Sequence, residues 1–176
     1  MSSEPLPPRP PDLRALLTPL IRHGVDFVLV GGMAGISHGS NYPSYDLDVV
    51  YSRSRDNIRR LVEALLEIGV HLRGAPADLP FFLDAKTIEN GSNFTFVTAY
   101  GDFDILGHAD GMPAYEELKA EAPVREILGM EVPVASIDHL IAMKRASNRP
   151  KDRLMVEEYI VLADEQRPAA ESGRGK

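Results

Sequence analysis

Residues 27–51, FVLVGGMAGISHGSNYPSYDLDVVY, constrain this chain more than any other stretch. An apolar run, Phe27-Val28-Leu29-Val30, stops at Gly31-Gly32, and a second apolar run opens on two aspartates one residue apart, Asp46-Leu47-Asp48. If residues 45–51 are extended, Asp46 and Asp48 project from one face while Leu47 and Val49 point to the other, because strand side chains alternate with period two. The two carboxylates then stand ~6–7 Å apart along the strand, from a rise of ~3.3 Å per residue. Such a pair wastes surface in a core strand but suits hard divalent cations, and magnesium, which prefers oxygen ligands, is the expected one.

The rest of the chain supplies a frame for these two strands. Residues 1–11 hold five prolines and read as a loose arm. Asp12 caps a helical pattern in which Leu13, Leu16, Leu17, Leu20 and Ile21 recur at three- and four-residue spacing, with a break or kink expected at Pro19 and a stop at Gly24. A strand at 26–30, a short helix at 33–38 and a loop at 39–44 lead to the aspartate strand. Ser52 or Ser54 caps the next helix, whose Ile58, Leu61, Val62, Leu65 and Leu66 form one apolar stripe before Gly69. Residues 70–73 form a short strand, and 74–93, rich in Pro, Asp, Gly and Asn, read as a long loop around Phe81-Phe82-Leu83. A strand at 94–100, a turn at Gly101-Asp102 and a strand opening Phe103-Asp104-Ile105-Leu106 follow. A short helix at 113–120, a hairpin about Gly129-Met130 and helices at 136–146 and 150–163 complete the pattern. The expected organisation is a flexible arm (1–11), one α/β domain (12–164) with a short mixed sheet and a C-terminal helical pair, and a disordered tail (165–176).

Composition narrows the function classes. A chain of 176 residues with 44% apolar and 26% charged residues is that of an ordinary globular protein. The absence of cysteine excludes disulfides, thiolate metal sites and a cysteine nucleophile. A net charge of −7 opposes broad binding to nucleic acid or an anionic membrane. No run reaches the ~18 apolar residues of a membrane span and no signal-peptide plan opens the chain, so no membrane partner and a cytoplasmic location are expected.

Three groups of residues carry chemistry. Gly31-Gly32, between a strand and a helix, would offer backbone N–H groups to a phosphate, although a strand-to-helix turn needs glycine for steric reasons too. Neither GxxxxGK[ST] nor GxGxxG is present. Asp104, held between Phe103 and Ile105, is the third acid that would join Asp46 and Asp48. Asp102 competes for that place but sits where a turn commonly uses aspartate. Three converging carboxylates repel one another and raise at least one pKa unless cations occupy the site. Two magnesium ions there would bind a triphosphate and activate an incoming hydroxyl. The third group is Lys144, Arg145, Arg149, Lys151 and Arg153, five cations in ten residues, read either as a solvated helix end or as a phosphate or RNA contact. Within it, Lys144 is the phosphate ligand and Asp152 its orienting partner. Among the histidines no metal-ligand spacing occurs, and His38 alone is placed to face a triphosphate.

The order GG, then DxD, then a lone strand aspartate, then IDHLIAMKRASNRPKD resembles the nucleotidyltransferase superfamily with the DNA polymerase β-like fold. The likeness is nearest to small bacterial stand-alone members related to the toxins of toxin–antitoxin and abortive-infection systems, and it covers residues 27–159. It implies Asp46, Asp48 and Asp104 as magnesium ligands, with Asp104 also able to accept the proton of the attacking hydroxyl. It further implies Gly31, Gly32, Ser44, Lys144 and Asp152 as nucleotide-binding residues, with manganese able to replace magnesium. The implied reaction moves a nucleoside monophosphate from an NTP to a hydroxyl of RNA, such as a tRNA 3′ end, of a protein or of a small molecule; an antitoxin is an implied partner. Two positions depart from the pattern: Met33 stands where many relatives have a serine, and Tyr42 where many have an arginine before the DxD. These departures motivate an alternative, a catalytically silent member that binds nucleotide or a partner protein. A structural calcium or magnesium site is a third reading.

Overall fold

The structure, a computed structural model, describes residues 6–168. Residues 1–5 of the expected arm and 169–176 of the expected tail lie outside the described residues.

Asp12 opens α1 (Leu13–Arg22), its carboxylate accepting from the Ala15 N–H at 3.0 Å, as an N-cap should. The helix continues through Pro19, the expected break, while Leu16, Leu17 and Leu20 are buried. After β1 (Phe27–Val30) the chain passes directly into α2 (Gly31–Ser37), so the diglycine is the first turn of the helix and not a connection before it. β2 (Asp46–Tyr51) leads through the Ser54 cap to α3 (Arg55–Ile68), which ends at Gly69 in the left-handed conformation, φ 77°. Then come β3 (His71–Leu72), α4 (Ala85–Asn90), β4 (Phe94–Thr98), β5 (Gly101–Leu106) and α5 (Tyr115–Ala120). The hairpin β6 (Val124–Ile127) and β7 (Met130–Pro133) precedes the helical pair α6 (Ile137–Ser147) and α7 (Pro150–Gln166).

Five strands form one mixed sheet in the order β1-β2-β5-β4-β3, and β6-β7 form a separate ribbon. β2 lies antiparallel to β1 and parallel to β5, and β5 and β4 are antiparallel. The parallel pair is the one that matters for the site. Its register sets Asp46 beside Asp102 and Asp48 beside Asp104, while Leu47, Val49, Phe103 and Ile105 turn to the other face and are fully buried. Burying each such side chain is worth about 1.5–3 kcal/mol, and slipping the register by one residue would move every one of them to the wrong face. The acids are therefore placed by the apolar residues between them.

Two further elements differ from the sequence expectation. The stretch read as a long loop contains α4, capped by Asp84, whose carboxylate accepts from the Thr87 N–H at 2.8 Å, and anchored by the buried Ile88. The β4–β5 turn lies at Ala99-Tyr100, so Gly101 and Asp102 belong to β5, with Gly101 paired to Thr98 and Asp102 to Val97. Among the described residues no helix is long and apolar enough to cross a membrane.

Candidate active site

The start of α2 touches the aspartate strand closely enough that side chains would not fit. Gly31 has φ 70°, and a Cβ there would run into the Asp48 carboxylate; a Cβ on Gly32 would lie 2.7 Å from Ser44 Oγ. Glycine is needed at the first position for both conformation and space. Ser44 donates to the Asp46 backbone carbonyl at 3.3 Å, closing the turn into β2.

Carboxylate oxygens of Asp46, Asp48 and Asp104 all lie within 4.8 Å of one another. Burial raises the Asp48 carboxyl to about 8, helped by the negative charges of Asp46 and Asp104 and by a hydrogen bond shared with Asp104. Asp104 is also raised, by burial first, although the Arg73 guanidinium opposes the shift. A buried acid cluster that favours holding a proton, through burial first and mutual repulsion second, is one to which added positive charge would be favourable. Three carboxylate ligands on rigid strands, all hard oxygen donors, fit magnesium or manganese.

The opposite wall is built on the junction of α6 and α7. Asp152 is 1% exposed and is surrounded by donors. Lys144 Nζ lies 3.2 Å from Oδ1, while the Ser147 hydroxyl donates to Oδ2 at 2.6 Å and Arg149 Nε at 2.8 Å. The Arg149 N–H adds a helix cap at 3.2 Å. Burial alone would raise this carboxyl, but the hydrogen bonds from Arg149 and Ser147 and the charge of Lys144 outweigh it and hold Asp152 well below the usual carboxylate range. Asp152 thus fixes Lys144 at the cleft.

Between the walls lies a cleft of about 390 Å³ lined by Gly31, Gly32, Ser44, Asp46, Asp48, Asp102, Lys144, Arg149, Lys151 and Asp152, with Pro43, Tyr45 and Met155. It gathers Gly31, Gly32, Ser44, Asp46, Asp48, Lys144 and Asp152 from the sequence reading, together with Arg149 and Lys151 of the basic cluster; Arg145, Arg153 and His38 do not line it, and Asp104 adjoins it through Asp48. A larger cavity of about 770 Å³ beside β3, lined chiefly by apolar residues such as Leu65, Leu72 and Phe81, shares no residue with it and holds no carboxylate cluster. The polar cleft is where chemistry can occur.

Sequence reading missed Arg73, whose Nη2 donates to Asp104 Oδ1 at 2.6 Å from just beyond β3. Nothing local marks it, since its partner is 31 residues away. His38 does not face the cleft. It is buried, with Nε2 2.8 Å from the Ala135 carbonyl and Nδ1 near Gln166 and Arg125, and so ties α2 to the chain around it. Glu117, Glu121 and His139 form a second group of potential ligands, but both glutamates are exposed and the group adjoins no cleft among those described.

No protein-family model matches the chain, and no curated protein matches it by sequence. Solved structures do. The lincosamide antibiotic adenylyltransferase LnuA, in its lincomycin-bound crystal form, is similar over 85% of this chain and 95% of its own, at 15% identity and TM-score 0.57. The solution structure of the antibiotic-resistance factor ANT(2'')-Ia is similar over 87% of this chain and 81% of its own, at 13% identity and TM-score 0.52. Its crystal structure with adenylyl-2''-tobramycin gives 14% identity and TM-score 0.51 over 87% and 93% of the two chains. These likenesses show the nucleotidyltransferase fold.

Proposed function

We propose that this chain, which has the nucleotidyltransferase fold, transfers a nucleoside monophosphate from an NTP to a hydroxyl group. The observation that carries this reading is the convergence of Asp46, Asp48 and Asp104 at a cleft whose far wall is Lys144, Arg149 and Lys151. Acids and bases in that arrangement match a metal-bound triphosphate: carboxylates on one side for the cations, ammonium and guanidinium groups on the other for the phosphates. Asp46 and Asp48 would hold the first cation and Asp104 would complete the set. Divalent magnesium or manganese would supply the positive charge that offsets the triphosphate and lowers the pKa of the attacking hydroxyl.

The chain's own residues would do the rest. Gly31 and Gly32 leave room for phosphate oxygens against the backbone, Ser44 borders the same space, and Lys144, aimed by Asp152, would neutralise the phosphates. The acceptor oxygen bonds to the α-phosphorus as the bond from that phosphorus to the bridging oxygen breaks. Pyrophosphate leaves, and the hydroxyl proton passes to the carboxylate of Asp104.

The acceptor we favour is a small molecule. The net charge of −7 and the half-exposed Asp102 at the cleft repel a polyanion such as RNA, and LnuA and ANT(2'')-Ia are described as antibiotic enzymes. The test is transfer of label from each of the four NTPs, tagged on the α-phosphate, to hydroxyl-bearing antibiotics, total RNA and total protein, with Asp48→Ala as the control. Label on a small molecule with wild type only is the expected result, and label on RNA or protein reassigns the acceptor. Metal-dependent NTP binding with no transfer to any of them would leave the silent binder as the correct reading.

A further inference from the structure

The three carboxylates of the cleft are not equally open. Arg73 Nη2 is shared between Asp104 Oδ1, at 2.6 Å, and the Phe96 carbonyl, at 2.9 Å. Its Nε is buried, lies 3.3 Å from Asp102 Oδ2 and makes no hydrogen bond there. The guanidinium therefore spans two acids on one face of β5, bonded to the inner one and merely close to the outer. The Asp104 side chain is 13% exposed and that of Asp102 46%. Among the described residues, no cation or N–H group donates to the carboxylates of Asp46 or Asp48; the Ser44 hydroxyl goes to a backbone oxygen instead.

A fixed guanidinium is a permanent unit charge at a spot where a divalent ion would otherwise sit. Its presence weakens a cation there twice, by repulsion and by drawing on Oδ1, one of the two Asp104 oxygens. We propose that Arg73 is a positioning residue that closes Asp104 to metal, so that the resting site holds a single divalent ion on Asp46 and Asp48 and a second requires the guanidinium to leave Asp104 for Asp102. The buried, unbonded Nε facing Asp102 is the second seat that such a move needs. This rests on the nucleotidyltransferase reading and sets the order in which its site fills: the third carboxylate opens only when another negative group, such as a phosphate, draws Arg73 away.

Titration of the full metal-free chain with Mn²⁺ alone, followed by paramagnetic resonance of the free ion and by calorimetry, tests this without any turnover. Wild type should bind roughly one ion per chain, and Arg73→Gln roughly two, the second at least about tenfold tighter than any second ion in wild type, since removing one adjacent charge is worth one or more such factors. Arg73→Lys should behave as wild type. Adding Asp104→Asn to Arg73→Gln should return the count to that of wild type, which a merely structural role for Arg73 would not do. Arg73→Met, which keeps the aliphatic stem, serves if the glutamine variant does not fold. An unchanged ion count in folded Arg73→Gln or Arg73→Met, or two ions in wild type, overturns the proposal alone. Binding that Asp48→Asn leaves unaltered overturns the metal site itself, and the gate with it.

Discussion

Asp48 and Asp152 are the same side chain on opposite walls of one cleft, both buried or nearly so, and their surroundings drive them in opposite directions. Asp152 has Lys144, Ser147 and Arg149 around it and is held ionised. Asp48 is pushed up to about 8, by burial first and then by the two other carboxylates beside it. Burial raises both; at Asp48 the neighbouring acids add to it, and at Asp152 the surrounding donors and cation outweigh it. One wall is complete in the protein alone and fixes geometry; under the proposed function the other would be completed by charge brought from outside. The glycines between them serve the same division, since Gly31 lets α2 approach Asp48 without adding a donor to it.

That contrast can be broken at several points. The largest effect is expected for Asp48→Asn, which should lower label transfer by about a thousandfold or more, on the order of 4 kcal/mol of transition-state stabilisation. Its metal-free melting temperature at pH 8 should be equal to or above that of wild type, because a repelling charge has been removed. Asp152→Ala should do the reverse in kind. Removing the buried partner of Lys144 and Ser147, with Arg149 largely exposed and free to be solvated, costs about 1–3 kcal/mol, read as a fall of roughly 2–4 °C in melting temperature per kcal/mol; a loss below about 1 kcal/mol would show that the cation wall stands without it.

The pH dependence separates the walls further. Asp48 has a folded pKa raised from 3.8 to about 8, so the folded state holds its proton more firmly than the unfolded chain between those values. Its contribution is fully present below the unfolded pKa and is lost as pH rises through about 8. Asp152, with its folded pKa depressed, contributes stability above the unfolded value that disappears as pH falls below it. Metal-free protein should thus gain stability as pH drops from 8 toward 5, and millimolar magnesium should flatten that slope by binding ionised Asp46 and Asp48. A metal-free slope already flat in wild type, measured by thermal melts, would contradict the self-repulsion. The smallest effect is expected for His38→Ala, a loss of about 1–2 kcal/mol from its buried hydrogen bonds. The magnesium-induced melting shift should stay as in wild type, since His38 does not line the cleft.

Much of this was legible from residue order. The DxD reads as a carboxylate pair because Leu47 and Val49 must face the core, and the same alternation around Phe103 and Ile105 picks out Asp104. Asp102 obeys that alternation too; placing it in a turn followed turn propensity, whereas the pairing of Gly101 with Thr98 moves the turn two residues earlier. α4 was hidden by its loop-like composition, although Asp84 and Thr87 carry an N-cap spacing. His38 was misjudged because closeness in sequence to the diglycine says nothing about which way a helix end faces.

The sequence by itself determined the strand faces, the caps and the identity of the acids, because alternation and capping act over two to four residues and leave a local mark. Only the tertiary structure decided which acids meet and which cation joins them. The parallel register of β2 and β5 brings Asp48 to Asp104, and Arg73 reaches that pair from a neighbouring edge of the sheet. Those contacts join residues tens of positions apart, and their energy depends on packing and charge in three dimensions that no local pattern encodes.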